Sequence, residues 1–140
     1  MRLGEEASPA AVALVRACRD EDDRVREAVV AALEGLGPPP VEDVPKLAAL
    51  LSEDNSDAAY WAATLLGRCG QEAAGATQEL LAVVNSAADL AARERAVWAL
   101  GRIGPTATAA LPVLQKVAAA EGSPRLARRA RGAIEKIRGG

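Results

Sequence analysis

Few side chains in this chain could do chemistry. Asp20, Glu21, Asp22 and Asp23 stand in a row, a grouping from which a cation site or an acid–base pair could be drawn. Calcium loops space their oxygens around a turn glycine, and this run holds none. Acids just ahead of an apolar helical period are the usual mark of a helix start, where an N-cap oxygen and the helix dipole both favour negative charge. We therefore expect these acids to cap a helix, with loop aspartates laddering to Arg26 or Arg93. Histidine is absent, which removes Ser-His-Asp and Cys-His catalysis, His-bearing zinc sites and a histidine pH switch. Cys18 and Cys69 are too few for a disulfide framework or a four-cysteine metal site. Both share columns with aliphatic residues and are expected as buried small hydrophobes. No catalytic residue, metal or cofactor is expected.

What remains is binding chemistry. The aromatics are Tyr60, Trp61 and Trp98, and Trp98 has Arg95 three residues before it and Arg102 four after. That spacing places the three on one helix face. Arg68 holds the Arg102 position one repeat earlier. Tyr60 and Trp98 fall away from the buried arc and Trp61 at its edge. Tyr60, Trp61, Arg68, Arg95, Trp98 and Arg102 are the candidate partner-binding residues, a mix of Trp, Tyr and Arg that matches binding hot spots. The alternatives are Trp61 packed between adjacent helices and the Trp98 ring covered by arginine stems.

A second candidate surface is basic. Residues 1–57 carry 13 acids and 6 bases, whereas residues 58–140 carry 6 acids and 11 bases, although the whole chain is only −2. Arg125, Arg128, Arg129 and Arg131 crowd the last helical segment and could hold phosphate or another anion. No aromatic interleaves with them in sequence, so a solvated cap is expected and nucleic acid is not the expected partner. The acidic head and basic tail could also steer head-to-tail self-association.

The elements that must position these residues repeat. The chain has 140 residues, 33 of them alanine, a composition that favours helix over sheet. Four segments align, ending at Gly37, Gly70, Gly104 and Arg138, so steps of 33, 34 and 34 bring Leu33, Leu66, Leu100 and Ile134 into one column. Leu14, Leu47, Leu80 and Leu114 form another upstream. Within each copy the apolar positions keep a helical period, as at Ala92, Ala96, Ala99, Leu100 and Ile103. The spacing predicts eight helices in four hairpins, the first of each pair near 9–19, 43–52, 74–87 and 107–121, the second near 23–36, 57–69, 89–103 and 124–138. Ser8 and Ser123, each before a proline, are expected N-caps, and Gly37, Gly70 and Gly104 expected left-handed C-caps. The fourth copy lacks that glycine. A lone hairpin could not bury its stripe, whereas stacked ones can. The expected fold is all-α, a single α-solenoid over 1–140 with repeats at 5–37, 38–70, 71–104 and 105–138.

The tetratricopeptide pattern needs a phenylalanine and the ankyrin pattern a histidine, and the chain has neither. Asp22–Ala28, the run from Ala96 to Gly104, and Pro45 with Pro112 instead carry a resemblance to the HEAT-repeat family, an armadillo-type superhelix, and within it to bacterial HEAT-like repeats of the phycobilisome-lyase type. It covers Ser8 to Arg138, with Ala59 departing from the Arg26 and Arg93 column. The resemblance implies that the second helices line a concave surface. Function is therefore expected to be a non-enzymatic protein- or peptide-binding scaffold. An accessory module of a lyase or other enzyme is the alternative the resemblance invites, and nucleic-acid or phosphate binding through 124–138 is the third.

Arg2-Leu3-Gly4 fits the repeat register, and Val12 and Val15 are extra apolar positions that a preceding hairpin could cover. We therefore expect the C-terminal part of a longer array, closed at its end by the polar face of Arg131. No apolar run approaches the length of a membrane span, and the acidic N-terminus is unlike a secretory leader. A cytoplasmic setting is expected.

Overall fold

The computed structural model of the chain describes residues 11–53, 55–86, 89–120 and 122–139, which form helices, turns and short connections. Eight α-helices occur among them: α1 (Ala11–Ala17), α2 (Asp23–Gly35), α3 (Val44–Leu51), α4 (Ser56–Cys69), α5 (Thr77–Asn85), α6 (Leu90–Ile103), α7 (Leu111–Ala119) and α8 (Pro124–Ile137). None of them is long and apolar enough to cross a membrane. Each odd-numbered helix packs on the even-numbered helix after it, α4 stacks on α6, and α6 on α8. This is the stacked-hairpin α-solenoid that the periodicity predicts.

The even helices lie within a residue or so of their expected bounds because their ends carry strong local signals. Asp22 Oδ1 accepts from the Arg24 amide at 2.9 Å, Asn55 Oδ1 from Ala58 at 2.9 Å and Ser123 Oγ from Leu126 at 3.3 Å. Each supplies an acceptor to an otherwise orphaned first-turn donor. Ser8 lies outside the described residues. Gly70 (φ 61°, ψ −134°) and Gly104 (φ 78°, ψ −144°) do close α4 and α6, but outside the left-handed helical well, in a region that essentially glycine alone can occupy. Gly37 is a correction, because it has no positive φ. The helix stops at Gly35, and Leu36 is already extended (ψ 130°) two residues ahead of Pro38-Pro39-Pro40, a run that cannot continue a helix. The fourth copy does have its glycine. Gly139 (φ 81°) follows Arg138, one residue beyond the repeat register.

The odd helices are shorter than expected. Tight 3₁₀ segments at Val41–Asp43, Gly70–Ala76 and Gly104–Ala110 take up what the periodicity assigned to α3, α5 and α7. Ala73, Ala76, Ala107 and Ala110 are buried in the latter two, so those turns carry core positions as well as connecting, whereas Val41–Asp43 buries none.

One apolar core runs through the stack, built from leucine, valine, isoleucine and alanine. Leu33, Leu66 and Leu100 are fully buried in it. Val12 (8% exposed) and Val15 (0%) belong to it too, so their apolarity does not call for a preceding hairpin, and that ground for a longer array falls. Residues 1–4, the other ground, lie outside the described residues. Arg131 is exposed in the column where Ala63 and Val97 are buried.

Candidate functional site

The row of acids is a helix start. Besides the Asp22 cap, Asp20 Oδ1 accepts from the Asp22 amide at 2.9 Å. Arg26 donates to the Asp20 carbonyl at 2.7 Å and pairs with Asp23. The expected ladder stops there, because Arg93 Nε donates to the Val84 carbonyl at 2.9 Å and closes the end of α5 instead. Ala59, which replaces arginine in that column, is buried. Cys18 is buried, and Cys69 is half-buried with its thiol toward the Pro39 carbonyl at 3.6 Å. Burial first, and neighbouring carboxylates next, push both thiols up to about 11. Neither is poised as a nucleophile, because the thiolate is the reactive form.

The aromatic and arginine candidates converge. Tyr60 and Trp61 sit early on α4, and Arg95, Trp98 and Arg102 on α6, which stacks against it. The Arg95 guanidinium carbon lies 4.8 Å from the Tyr60 ring centre and 4.9 Å from that of Trp98, and Arg95 Nη2 donates to the Tyr60 hydroxyl at 2.7 Å. Arg102 sits 5.9 Å from the Trp98 ring centre, and Tyr60 meets Trp61 edge to face at 5.2 Å. Stacked cations and T-shaped rings are favourable geometries that fix these side chains before any partner arrives.

The rings are less exposed than the helical wheel implies. Tyr60, Trp61 and Trp98 are all half-buried against the core. The Trp98 ring crosses to α4 and lies over Gly67, where a Cβ would sit 2.2 Å from Trp98 Cζ3. Arginine stems do flank it.

Arg68 has another task. Its Nη1 donates to the Leu33 carbonyl at 2.7 Å and the Leu36 carbonyl at 2.5 Å, and its Nη2 to the Glu34 carbonyl at 3.5 Å. It is a C-terminal cap for α2 delivered from the next even helix, adding a charged donor to carbonyls of the last turn, among them that of Leu33, which also accepts from the Leu36 amide at 3.2 Å. Burial, and then the charge of Arg95, lower the Arg68 pKa from its ordinary value. Arg102 Nε reaches the Gly67 carbonyl of α4 in the same way, at 3.4 Å.

The basic candidates divide. Arg125 pairs with Glu94 of α6 at 2.9 Å, and Arg131 donates to the Ala118 carbonyl at the end of α7 at 3.3 Å. Arg125 also joins Arg128, Arg129 and Lys136 around a hollow of about 470 Å³ between α6 and α8, whose wall is Trp98 and whose floor is Gly101, Gly132 and Ala133. No aromatic interleaves with these arginines in sequence, yet Trp98 lies beside them in space. Sequence distance hid a neighbourhood that the α6–α8 stack creates. Gly101, Gly132 and Lys136 are site residues that the sequence reading missed. A column comparison of Thr64, Trp98 and Gly132, the ninth residues of three 14-residue helices, was the signal for them.

A second hollow, about 430 Å³, opens between α2 and α4 and is lined by Trp61, Val30 and the acids Asp23, Glu27, Glu34 and Asp57, with Arg26 among them.

Comparison with known proteins agrees with this architecture. A family model described as HEAT repeats matches residues 44–135. Two crystal structures of engineered proteins from the Northeast Structural Genomics Consortium superpose on the chain. One does so with a TM-score of 0.65 at 23% identity, covering 94% of this chain and 63% of its own. The other has a TM-score of 0.62 at 24% identity, covering 91% of this chain and 37% of its own. The chain thus spans less than two thirds of either, and at such identity the likeness is one of fold. No curated protein matches the chain.

Proposed function

The chain belongs to the HEAT-repeat family, and from that premise we propose a non-enzymatic scaffold that binds a protein or peptide along the concave surface of its even helices. Within this reading the repeats fall at 5–37, 38–70, 71–104 and 105–138, and the setting is cytoplasmic, in keeping with two unpaired cysteines. The observation that carries it is the Tyr60–Arg95–Trp98 stack bridging α4 and α6. Rigid aromatic and arginine anchors concentrate binding energy in interfaces, and a solenoid extends them along a groove. Trp61 and Arg102 flank the stack, while Arg68 is engaged with the α2 carbonyls.

An enzyme-accessory role finds no comparable support, since both thiols are pushed away from reactivity. The test is partner capture from the source cell with the wild-type chain, Trp98→Ala and Arg95→Glu. Loss of the same captured proteins from both variants is expected. An unchanged set would end the groove reading.

A further inference from the structure

The hollow between α6 and α8 has a specific origin. The helices α4, α6 and α8 each run 14 residues, and their ninth residues are Thr64, Trp98 and Gly132. Their twelfth residues include Gly67 in α4 and Gly101 in α6. The Trp98 ring of α6 lies over Gly67 of α4. One step along, the equivalent ring would come from position 132 and lie toward Gly101, but position 132 is glycine. A Cβ built there meets nothing within 4 Å. The hollow is thus a place where the stack omits a large side chain, and its floor is apolar.

Its rim is cationic. Among the described residues no carboxylate pairs with Arg128, Arg129 or Lys136, whereas Arg125 already has Glu94. Its wall, Trp98, is held between Gly67 and the guanidinium groups of Arg95 and Arg102. Such a cavity, apolar with a few charged groups at its mouth and of the size that small-molecule sites have, favours one bulky apolar group with negative charge beside it.

We propose that this hollow is the specificity pocket of the groove, and that it takes a large aromatic side chain of a partner peptide in which carboxylates flank that residue. The aromatic ring fills the space above Gly132 and stacks beside Trp98. The flanking carboxylates meet Arg128, Arg129 and Lys136, exposed cations whose complementary charge steers and selects the ligand. The inference rests on the groove reading above and adds the chemistry of the bound segment.

The experiment uses the full chain and a fluorescein-labelled ten-residue peptide with a central tryptophan between glutamates, read by anisotropy. Comparison peptides replace the tryptophan with alanine or the glutamates with lysine, and a labelled ten-nucleotide oligothymidylate stands for nucleic acid. Saturable binding of the acidic tryptophan peptide is expected, at least tenfold weaker with alanine and lost with lysine. Gly132→Trp, which supplies the omitted ring, should weaken binding at least tenfold with unchanged helical circular dichroism. Reversal at the exposed Arg128→Glu and Arg129→Glu should do the same without touching the core. Peptide binding that Trp98→Ala removes and Gly132→Trp leaves intact would overturn the pocket and spare the groove. Binding that neither variant alters would overturn both. Tighter, steeply salt-dependent binding of the oligothymidylate would replace the peptide pocket with a phosphate surface.

Discussion

The junction of α2 with α4 and the junction of α6 with α8 are built on the same plan and end up opposite in character. At the second, α8 packs closely on α6, and a Cβ at Gly101 would come 3.2 Å from the Ala133 Cα. At the first, α2 packs chiefly on α1 and scarcely meets α4, which α1 touches instead. The twelfth residue of the helix differs: Gly67 in α4 and Gly101 in α6, but Glu34 in α2. A helix approaches its neighbour closely only where the contact residue is small. Glu34 is exposed where the glycines are buried, and it lines an acidic hollow beside Trp61. One column therefore decides both packing and electrostatics. Close junctions leave a basic pocket at one end of the even-helix surface, and the open junction leaves an acidic one at the other.

Cutting into the core should separate the junctions most. Leu33 and Leu100 are both fully buried and occupy the same column. Leu100→Ala, enclosed by helices on both sides, should cost about 4 kcal/mol, and Leu33→Ala, on a helix that packs chiefly against α1 alone, nearer 2. Urea denaturation of the two variants would show equal losses if the α2 junction is as tight as the other.

A change at the gauge residue itself should come next. Gly67→Val places a branched side chain on the Trp98 ring and should cost about 3 kcal/mol. Glu34→Val, at an exposed position, should shift stability by no more than about 0.5 kcal/mol. Thermal melts that rank them the other way would mean that Glu34 is not the equivalent position.

The smallest contrast lies in the arginine caps. Arg68 reaches three carbonyls of the α2 end and Arg102 one carbonyl of α4. Arg68→Ala should cost about 2 kcal/mol, in the range of hydrogen bonds to charged groups, and Arg102→Ala less than about 1 kcal/mol. Matching losses in a denaturant series would show that the number of carbonyls reached does not matter.

Much of this was readable in the sequence, and the reason is locality. Even-helix bounds follow from Asp22, Asn55 and Ser123 and from the glycines that end α4 and α6, all of which act within a turn of themselves. The column of Leu33, Leu66 and Leu100 follows from periodicity alone. The short odd helices were not legible, because alanine-rich stretches such as Gly104–Ala110 suit α and 3₁₀ backbones alike, and the choice is made by how their alanines pack. Arg93, expected in a ladder with the loop aspartates, was hidden for a related reason. An arginine that will cap a neighbouring helix looks, in one dimension, like an arginine awaiting an acid. The basic pocket was hidden because Trp98 and Arg128 are 30 residues apart in a chain whose neighbours recur every 34.

The gauge residue has a geometric consequence. Odd helices meet each other and the 3₁₀ turns between them, while α4 and α6 each bring a glycine at position twelve against the next even helix. Shortening the even-helix spacing while the odd-helix spacing holds bends the stack toward the even side, and lengthening it straightens the stack. The radius of curvature is then written one residue per repeat, tight where that residue is Gly67 or Gly101 and relaxed at Glu34. Exchanging a single side chain there would retune the arc that a bound partner has to follow.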